Sequence, residues 1–398
     1  MSTPRLPIVA FGPNPWEGFW MNRQQLLSRL GRRGWPVVYT IGPMTVWERG
    51  GPRWQQADWL SRGVAMDGVV VDRPGRLAAR WPKLPLWDQA VYRLHARHLL
   101  KLAGLRPGQR GILFFFHPDF VPYIAWMGQP HVAFHAFDMY AQMTPGWTES
   151  QMQQEAWLCR RADLLTTISD TVRQAMPPPG PEKARILLNG TDIDTVLAAD
   201  HQPCPADLAA IPRPRIGYVG QITPKIDFRT ILEVARQRPQ WHWALVGNVK
   251  IADRPQTDWE IRAKADLEAC RAMPNIHFLG VKPYGELPVY IRHMDVNTII
   301  YRAEPGWWAA GYPQKLHDYL GSMVPLVSPA FATLRELSGV VGLVEDDVSS
   351  WIGALQRAIR EGGPGDPGER RAIAMENSWD RRVDLLEEWL FEMVSRVS

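Results

Sequence analysis

The sequence predicts an α/β protein made of two doubly wound sheets of parallel strands. Short apolar runs alternate with segments of helical periodicity along the 398-residue chain, and they do so in two separate series. A chain of this length normally forms more than one hydrophobic core, which favours two domains. The proline-rich stretch 201–214 separates the series and is predicted to be a linker. We therefore expect an N-terminal domain at 1–200 and a C-terminal domain at 215–378.

The first series begins with PIVAFG at 7–12, a short apolar run typical of a buried parallel strand. A helix is predicted at 23–34, where Leu26, Leu27 and Leu30 share one face and Gly34 ends the pattern. A second helix is predicted at 149–162. Further strands are predicted at 36–42, 111–118, 131–138, 163–169 and 184–193.

The second series has the same alternation. Helices are predicted at 228–239, 284–294 and 313–321, and a final helix occupies 379–398, where Val383, Leu386, Trp389 and Leu390 follow helical spacing. The strands are predicted at 215–220, 242–247, 276–280, 296–301, 324–329 and 340–346. In such sheets ligands bind beyond the carboxyl ends of the strands, so we expect functional residues in the loops that follow them.

Composition and short motifs narrow the class of protein. No apolar run reaches the roughly 18–20 residues that a membrane span needs, and the N-terminal stretch does not have the pattern of a secretory signal. The three cysteines are widely spaced and match no metal-binding pattern, which indicates a reduced, cytoplasmic protein. No GxGxxG motif of nicotinamide enzymes follows the first strand, and the P-loop motif and the GxSxG, HExxH and CxxC motifs are absent.

Charge is distributed unevenly along the chain. Residues 1–110 contain 17 Lys and Arg against 6 Asp and Glu, a net charge of +11, while the remainder carries −7. This excess is either an ordinary solvated face or a surface for an anionic partner, which would be phospholipid headgroups or nucleic acid. The acidic C-terminal half and the lack of a known nucleic-acid module argue against nucleic acid.

Three segments of the second series carry a family resemblance. They are GYVGQITPKIDF at 217–228, NIHFLGVKPYGELPVYIRHMDV at 275–296 and YPQKLHDYLGSMVPLVS at 312–328. In order and spacing they resemble the nucleotide-sugar-binding domain of bacterial group 1 glycosyltransferases of the GT-B fold, and the N-terminal half is more loosely similar. The resemblance implies two Rossmann-like domains facing a central cleft, and it is closest to members that build cell-surface polysaccharides.

The resemblance also implies a donor site. Lys315 matches the family lysine that contacts the diphosphate, where an ammonium neutralises the charge of the departing nucleotide. Asp318 stands where the family usually has a glutamate for the ribose hydroxyls. Glu304 corresponds to the first acid of a Glu-x7-Glu pair, although the second position falls on Tyr312. The remaining donor-binding residues implied are Gly220, Gln221 and Lys225 in the first loop, and Val281 and Tyr284 around the base.

Acceptor binding is expected in the N-terminal half. Asp138 and His135 lie at or just past the end of a predicted strand and are the candidate catalytic residues. Asp138 would deprotonate the acceptor hydroxyl in an inverting enzyme, or orient the acceptor in a retaining one; a buried structural acid is the alternative. In the loop after the first strand, Trp16, Glu17 and Trp20 are candidates for acceptor binding, or the two indoles pack on each other at helical spacing.

The function implied is transfer of a hexose-type sugar from a UDP- or GDP-sugar to a hydroxyl of a lipid-linked or oligosaccharide acceptor. No metal and no further cofactor are expected, and the basic N-terminal region would rest on the anionic inner face of the plasma membrane. Two alternatives stay open. One is a non-catalytic GT-B-like protein that binds or scaffolds a membrane assembly, and the other is a sugar-nucleotide epimerase.

Overall fold

The protein folds into two compact units, one formed by Met1–Leu188 with Asp380–Ser398 and the other by Asn189–Trp379. The structure is a computed structural model that describes residues 4–18, 20–106, 109–128, 130–143, 146–302 and 311–396. Each unit contains one sheet with helices packed against it. No helix in these ranges is both long and apolar enough to cross a membrane.

The sheet of the first unit is parallel except at one edge. Its strands are β1 (Ile8–Phe11), β2 (Val37–Thr40), β3 (Arg62–Met66), β4 (Val69–Arg73), β5 (Ile112–Phe115), β6 (His131–Ala136), β7 (Leu164–Thr167) and β8 (Arg185–Ile186). Their order across the described part of the sheet is β3-β4-β2-β1-β5-β6-β7-β8. The chain therefore adds strands on both sides of β1, and β1 and β5 are neighbours at the point where the winding direction reverses.

Helices and turns connect these strands. The helices of this part of the chain are α1 (Asn22–Arg32), α2 (Pro52–Gln56), α3 (Pro85–Leu102), α4 (Tyr140–Met143), α5 (Glu149–Arg161), α6 (Asp170–Ala175) and α7 (Gly180–Lys183), with 3-10 turns at Val46–Glu48, Arg76–Ala78 and Pro118–Trp126. The core lies around the central strands, where the rings of Phe11 and Phe115 stack with centroids 5.1 Å apart and Tyr123 packs beside them.

One hairpin breaks the parallel pattern. β3 pairs antiparallel with β4, and the two-residue turn between them is Asp67-Gly68, both with positive φ (50° and 86°). Asp-Gly is the pair that most favours this turn geometry, because glycine and aspartate tolerate left-handed backbone conformations. The hairpin was not predicted, although the Asp-Gly pair between two apolar runs was the available signal.

The sheet of the second unit is parallel throughout its described residues. Its strands are β9 (Arg215–Val219), β10 (His242–Val246), β11 (Ile276–Gly280), β12 (Val296–Thr298), β13 (Leu326–Pro329) and β14 (Gly342–Val344). They are arranged in the order β11-β10-β9-β12-β13-β14. Strand order reverses between β9 and β12, so the carboxyl ends of these two strands border the switch point of the sheet.

The helices of the second unit cover both faces of its sheet. They are α8 (Ile193–Ala198), α9 (Ala206–Ala209), α10 (Phe228–Gln237), α11 (Asp258–Arg271), α12 (Leu287–Arg292), α13 (Leu316–Gly321), α14 (Val348–Glu361) and α15 (Pro367–Glu376), with 3-10 turns at Ala199–His201, Tyr284–Glu286 and Ala332–Leu337. The stretch 201–214, expected to be a linker, is part of this unit because Leu208 and Ile211 are buried in it. The boundary between the units lies at 188/189, earlier than the expected position near 200.

The final helix, α16 (Trp379–Ser395), belongs to the first unit from Asp380 onwards. Its acidic residues face arginines from the start of the chain. Arg29 Nε lies 3.2 Å from Asp380 Oδ2, and Arg33 Nη1 lies 2.7 Å from Asp384 Oδ1 and 3.3 Å from Glu387 Oε2. Part of the positive charge of residues 1–110 is therefore neutralised within the fold, and the first unit as a whole has a net charge of +7.

The predicted α/β fold of two doubly wound sheets is confirmed, and most predicted strands coincide with observed ones. The prediction was wrong in three details. The predicted strand at 184–193 contains only the two-residue β8, β12 ends at Thr298, and the helix expected from 313 begins at Leu316. Four of the longer helices, α3, α11, α14 and α15, were not predicted, and neither were the short helices α2, α4, α6, α7, α8 and α9 or the strands β3 and β4.

Candidate functional site

The site lies at the switch point of the second sheet, where the loop after β9 is held close to its neighbours. Gly220 follows β9 and Gly247 follows β10, and a β-carbon on Gly247 would lie 1.9 Å from the carbonyl oxygen of Gly220. Gly220 and Gly247 have φ values of 140° and 148°, which side chains rarely adopt. Glycine is therefore required at both strand ends by the close approach of the two backbones.

Two tyrosine hydroxyl groups hold this loop in place. The Tyr218 hydroxyl donates a 2.9 Å hydrogen bond to the carbonyl oxygen of Gln221. The Tyr319 hydroxyl, from α13, accepts from the amide of Val219 at 2.9 Å and lies 3.2 Å from its carbonyl oxygen. The amide of Gly220 donates to the carbonyl oxygen of Val246 at 2.9 Å. The backbone of the loop is thus ordered without any ligand.

Two lysine ammonium groups converge on this loop. Lys315 Nζ lies 3.6 Å from the ring centroid of Tyr218 and 5.8 Å from that of Tyr301. Lys225 Nζ lies 4.5 Å from the Tyr301 centroid, and the carbonyl oxygen of Lys225 accepts from the amide of Arg302 at 3.0 Å. Within the described ranges neither ammonium forms an ion pair. Aromatic faces stabilise these cations but leave their charge unneutralised, so the site is suited to an anion.

The electrostatics of the group follow from this crowding. Burial, together with the charge of Lys225, lowers the pKa of Lys315 to about 8, although Tyr301 acts in the opposite direction. Burial raises the pKa of Tyr301, but the charges of Lys225 and Lys315 outweigh it and bring that pKa down to about 8. A bound phosphate would relieve the repulsion between the two lysines and raise the pKa of Lys315.

Asp318 lies one helical turn after Lys315 on α13. Its Oδ1 accepts a 2.5 Å hydrogen bond from the Thr191 hydroxyl. Burial and the nearby charge of Asp192 raise the pKa of Asp318 to about 7, despite the opposing effects of Thr191 and Lys315. Asp318 is the residue expected to bind the ribose, and one of its two carboxylate oxygens therefore already accepts a hydrogen bond from Thr191, a residue of the second unit.

The other donor-site candidates are placed as follows. Val281 and Tyr284 follow β11, and their side chains are exposed. Glu304 lies outside the described residues. Asp227 is buried and caps α10 by accepting from the amide and hydroxyl of Thr230.

In the first unit, His135 is buried in β6 and both of its ring nitrogens have partners. Nε2 lies 3.2 Å from the side-chain nitrogen of Asn22, and Nδ1 lies 2.9 Å from the Thr166 hydroxyl. Burial, and secondarily the charge of Arg23, lowers the pKa of His135 to about 3. The imidazole is therefore neutral, and its hydrogen bonds join β6 to α1 and to β7.

Asp138 is partly buried two residues after β6, where its Oδ1 accepts from the amide of Met139 at 3.2 Å. This places a carboxylate at the carboxyl edge of the sheet. Near it, at the start of α1, the guanidinium of Arg23 is fully buried. Its Nη2 contacts the sulfur of Met21 at 3.1 Å and it lies over the ring of Phe137, while Nε and Nη1 have no hydrogen-bond partner. Sequence reasoning did not select Arg23.

The aromatic loop before α1 contains the three residues expected to bind the acceptor. Trp16 is buried, its indole nitrogen donates to Asp67 Oδ2 at 2.9 Å, and its ring contacts Tyr39. Trp20 packs edge-on against Trp16 with centroids 6.1 Å apart, outside any helix. The faces of Trp16 are therefore covered by protein. Glu17 is exposed and forms an ion pair with Arg73.

Comparisons with known proteins bear on this arrangement. No protein-family model matches the chain. TuaH of Bacillus subtilis strain 168, a teichuronic acid biosynthesis glycosyltransferase, is 25% identical over 288 residues, which are 69% of this chain and 70% of that protein. Sucrose-phosphate synthase of Thermosynechococcus elongatus has a TM-score of 0.69 at 15% identity, covering 99% of this chain and 100% of that one.

Two further solved structures show the same fold. HepE of Anabaena, in complex with UDP and glucose, has a TM-score of 0.66 at 13% identity and covers 97% of this chain and 99% of its own. A glycosyltransferase of Rickettsia africae has a TM-score of 0.69 at 11% identity, with 98% and 99% covered. The chain therefore has the GT-B fold, and its sequence is similar to that of a glycosyltransferase.

Within this GT-B fold, the structure brings Gly220, Lys225 and Lys315 together and leaves Val281 and Tyr284 on a separate strand end. Sequence reasoning missed Tyr218, Tyr301 and Tyr319. Tyr218 and Tyr301 carry the two lysines on their ring faces, and Tyr319 anchors the loop. No local pattern distinguishes them from ordinary core tyrosines, because their role depends on which strands are neighbours in the sheet.

Proposed function

We propose that the protein transfers a hexose-type sugar from a UDP- or GDP-sugar to a hydroxyl of a lipid-linked or oligosaccharide acceptor in cell-surface polysaccharide biosynthesis. The observation that carries this proposal is the pair of lysines, Lys225 and Lys315, which converge without ion-pair partners among the described residues at the switch point of the second sheet. Two concentrated positive charges beside a glycine loop suit the diphosphate of a sugar nucleotide.

The chemistry follows from this placement. In the transfer, a bond forms between the acceptor oxygen and the anomeric carbon, and the bond from that carbon to the diphosphate breaks. The negative charge that develops on the departing nucleotide is stabilised by the two ammonium groups. Because Lys315 is half-buried beside Tyr218, its charge acts through a medium of lower dielectric constant than water, which strengthens the attraction.

Relatives support the choice of donor and product. The HepE structure is a complex with UDP and glucose, and TuaH is described as an enzyme of teichuronic acid biosynthesis. We propose that the base of the nucleotide lies near Val281 and Tyr284. Their exposed side chains lie in the segment after β11, at the carboxyl end of a strand of the same sheet. Gln221 would contribute its backbone to the diphosphate, and Asp318 would bind a ribose hydroxyl.

On the acceptor side, we propose Asp138 as the carboxylate that orients or deprotonates the attacking hydroxyl. Its position at the carboxyl edge of the first sheet supports this role. His135 then acts as a positioning residue, because both of its nitrogens are engaged by Asn22 and Thr166. Glu17 and Trp20, at the surface of the aromatic loop, are the proposed contacts to the acceptor.

The proposal includes two further expectations. The lysines supply the charge neutralisation that a divalent metal supplies in other nucleotide enzymes, so we expect transfer to proceed in the presence of EDTA. The net charge of +7 on the first unit favours association with an anionic membrane surface, which we place at the inner face of the plasma membrane.

The test begins with nucleotide binding. Thermal stabilisation by UDP and by GDP is measured for the purified protein, followed by hydrolysis of a panel of UDP- and GDP-sugars with and without EDTA. We expect one nucleotide to raise the melting temperature and its sugar derivatives to be hydrolysed slowly. Lys315→Gln should abolish both effects, while the control Lys264→Gln, on α11, where the ammonium donates only to the carbonyl oxygen of Asp253, should retain them.

A failure of both nucleotides to stabilise the protein at millimolar concentration would contradict the proposal. Stabilisation without hydrolysis or transfer of any donor would contradict the enzymatic part alone and favour a non-catalytic binding protein.

A further inference from the structure

The first unit exposes an unusual concentration of apolar side chains. Of the large apolar residues that are exposed in the described ranges, nine lie between positions 47 and 94, and the rest are scattered. Among them, Leu86 is 85% exposed, Leu60 71% and Trp59 65%. Five of these residues line one groove, and Leu86 precedes one of them on α3. We call the six the aromatic patch, and it consists of Trp59, Leu60, Leu77, Leu86, Trp87 and Leu94.

The aromatic patch is a built surface rather than a loose loop. The amide of Leu77 donates to the carbonyl oxygen of Trp59 at 3.1 Å, which joins two segments of the patch. The indole nitrogen of Trp87 donates to the carbonyl oxygen of Ala79 at 2.9 Å, which fixes the start of α3 beside them. Trp59, Leu60, Leu77, Trp87 and Leu94 line one shallow groove.

Cations surround the aromatic patch. The Arg76 guanidinium lies 5.5 Å from the ring centroid of Trp59, and Lys83 Nζ lies 5.2 Å from that of Trp47. Along the outward face of α3, the apolar residues of its first turns are followed by the exposed cations Arg93, Arg97 and Lys101.

The acidic residues nearby are already paired. Asp58 forms an ion pair with Arg62, and Asp88 binds Arg80 through both of its oxygens. Glu48 is likewise paired with Arg53. The cations on the outward face of α3 have no ion-pair partner in the part of the chain that the structure describes, so the rim of the patch is positive.

This combination selects one kind of partner. A contiguous apolar surface of this kind marks an interaction site, and tryptophans mixed with arginines and lysines match the boundary between lipid headgroups and acyl chains. A second copy of the chain would bring two positive rims together, which disfavours a symmetric contact. We propose that the aromatic patch docks the protein on an anionic lipid bilayer, with Leu60, Leu86 and Trp59 entering the headgroup region and the cations of α3 meeting lipid phosphates.

The inference rests on the proposed function, since a lipid-linked acceptor has to be reached at a membrane. It also identifies the part of the first unit that would contact the membrane. Arg29 and Arg33 are paired with acidic residues of α16, whereas the cations on the outward face of α3 beside the patch are not.

The test is co-sedimentation of the full-length protein with vesicles of phosphatidylcholine alone and of phosphatidylcholine with phosphatidylglycerol. We expect binding to the anionic vesicles only. The double variant Trp59→Ser/Leu86→Ser should weaken that binding by at least about tenfold, because both substitutions remove apolar area from the lipid contact. The matched control is Ile261→Ser/Met375→Ser in the second unit, where both residues are also exposed. It should bind like the parent protein.

A second pair of variants tests the charge. Arg93→Gln/Arg97→Gln should weaken binding to anionic vesicles and reduce its sensitivity to salt, whereas Arg357→Gln/Arg360→Gln on α14 should not. UDP- or GDP-induced thermal stabilisation of each variant is measured on the same samples. Its retention shows that the protein is folded and that the donor site is independent of the patch.

Three outcomes would overturn the proposal. They are binding that survives the patch variants as well as the controls, equal binding to neutral vesicles, and a change from dimer to monomer in Trp59→Ser/Leu86→Ser without any vesicle binding by the parent. The proposed function would fail separately, through loss of nucleotide stabilisation in the parent protein.

Discussion

The ammonium group of Lys315 lies over the ring of Tyr218, 3.6 Å from its centroid, and directly beside the backbone of Gly220. Lys315 immediately precedes α13, which follows β12 in the chain, and β12 is the neighbour of β9 at the switch point of the second sheet. The cation therefore reaches the loop after β9 from the segment that connects β12 to α13. A larger residue in place of Gly220 would therefore displace the ammonium group and change the charge distribution at the loop.

Replacing Lys315 should weaken nucleotide binding more than any surface change. Lys315→Gln removes the half-buried cation that we propose contacts the diphosphate, and we expect UDP or GDP affinity to fall by about 30-fold, equivalent to about 2 kcal/mol. Titration calorimetry measures the change. Lys264→Gln serves as the control, and an equal loss in that variant would refute a specific role for Lys315.

Nucleotide affinity should depend on pH through the lysine. Because the pKa of Lys315 is lowered to about 8, the free site loses this charge as the pH rises above that value. Affinity should then decrease by up to about tenfold per pH unit, and binding near pH 9 should take up a proton. Calorimetry in buffers of different ionisation enthalpy detects the proton. Tyr301→Phe should preserve the dependence and Lys315→Gln should remove it; the reverse pattern would assign the titration to Tyr301.

Gly220 should not tolerate a side chain. A β-carbon there would lie 2.6 Å from Lys315 Nζ, in a backbone conformation with φ of 140°. We expect Gly220→Ala to lower the free energy of unfolding by about 1–3 kcal/mol and to displace the ammonium, which also weakens nucleotide binding. Urea denaturation and calorimetry measure the two effects. Gly285→Ala, where no atom lies within 4 Å of the added carbon, should be nearly neutral.

Asp318 should make stability depend on pH. Its pKa is raised from 3.8 to about 7, so the folded state holds a proton that the unfolded state has lost. The associated stability is present below about pH 4 and is lost as the pH rises through about 7. Asp318→Asn imitates the protonated form and can still accept from Thr191. In urea denaturation it should become more stable than the parent by at least about 1 kcal/mol near pH 8, and match it near pH 3. A constant difference across this range would contradict the assignment.

We expect the buried charge of Arg23 to lower the free energy of unfolding and to contribute to sugar transfer. Its guanidinium is fully buried with two nitrogens unpartnered, so Arg23→Met should raise the free energy of unfolding by about 1 kcal/mol. If the cation contributes to the site at the carboxyl edge of the first sheet, the same variant should lower sugar transfer. Arg29→Met on the same helix is the contrast, because Arg29 is paired with Asp380 and its loss should destabilise. Destabilisation by both variants would contradict the prediction.

Much of the candidate donor site was predictable because it follows local rules. An apolar strand ending at Gly220 and a lysine just before a short helix are features of single segments, and their order along the chain indicated the GT-B fold. The first unit was less predictable. His135 was expected to be catalytic from its place at a strand end, yet it is buried between Asn22 and Thr166, which come from α1 and a different strand.

The sequence by itself determined the two α/β series and singled out Lys315, since periodicity and motif spacing act within a few residues. Only the tertiary structure decided that Tyr218 and Tyr301 carry the two lysines, that Trp16 is covered, and that α16 neutralises Arg29 and Arg33. These contacts join residues far apart in the chain. They depend on strand order and helix docking, which arise from the packing of whole elements and leave no mark on any single segment.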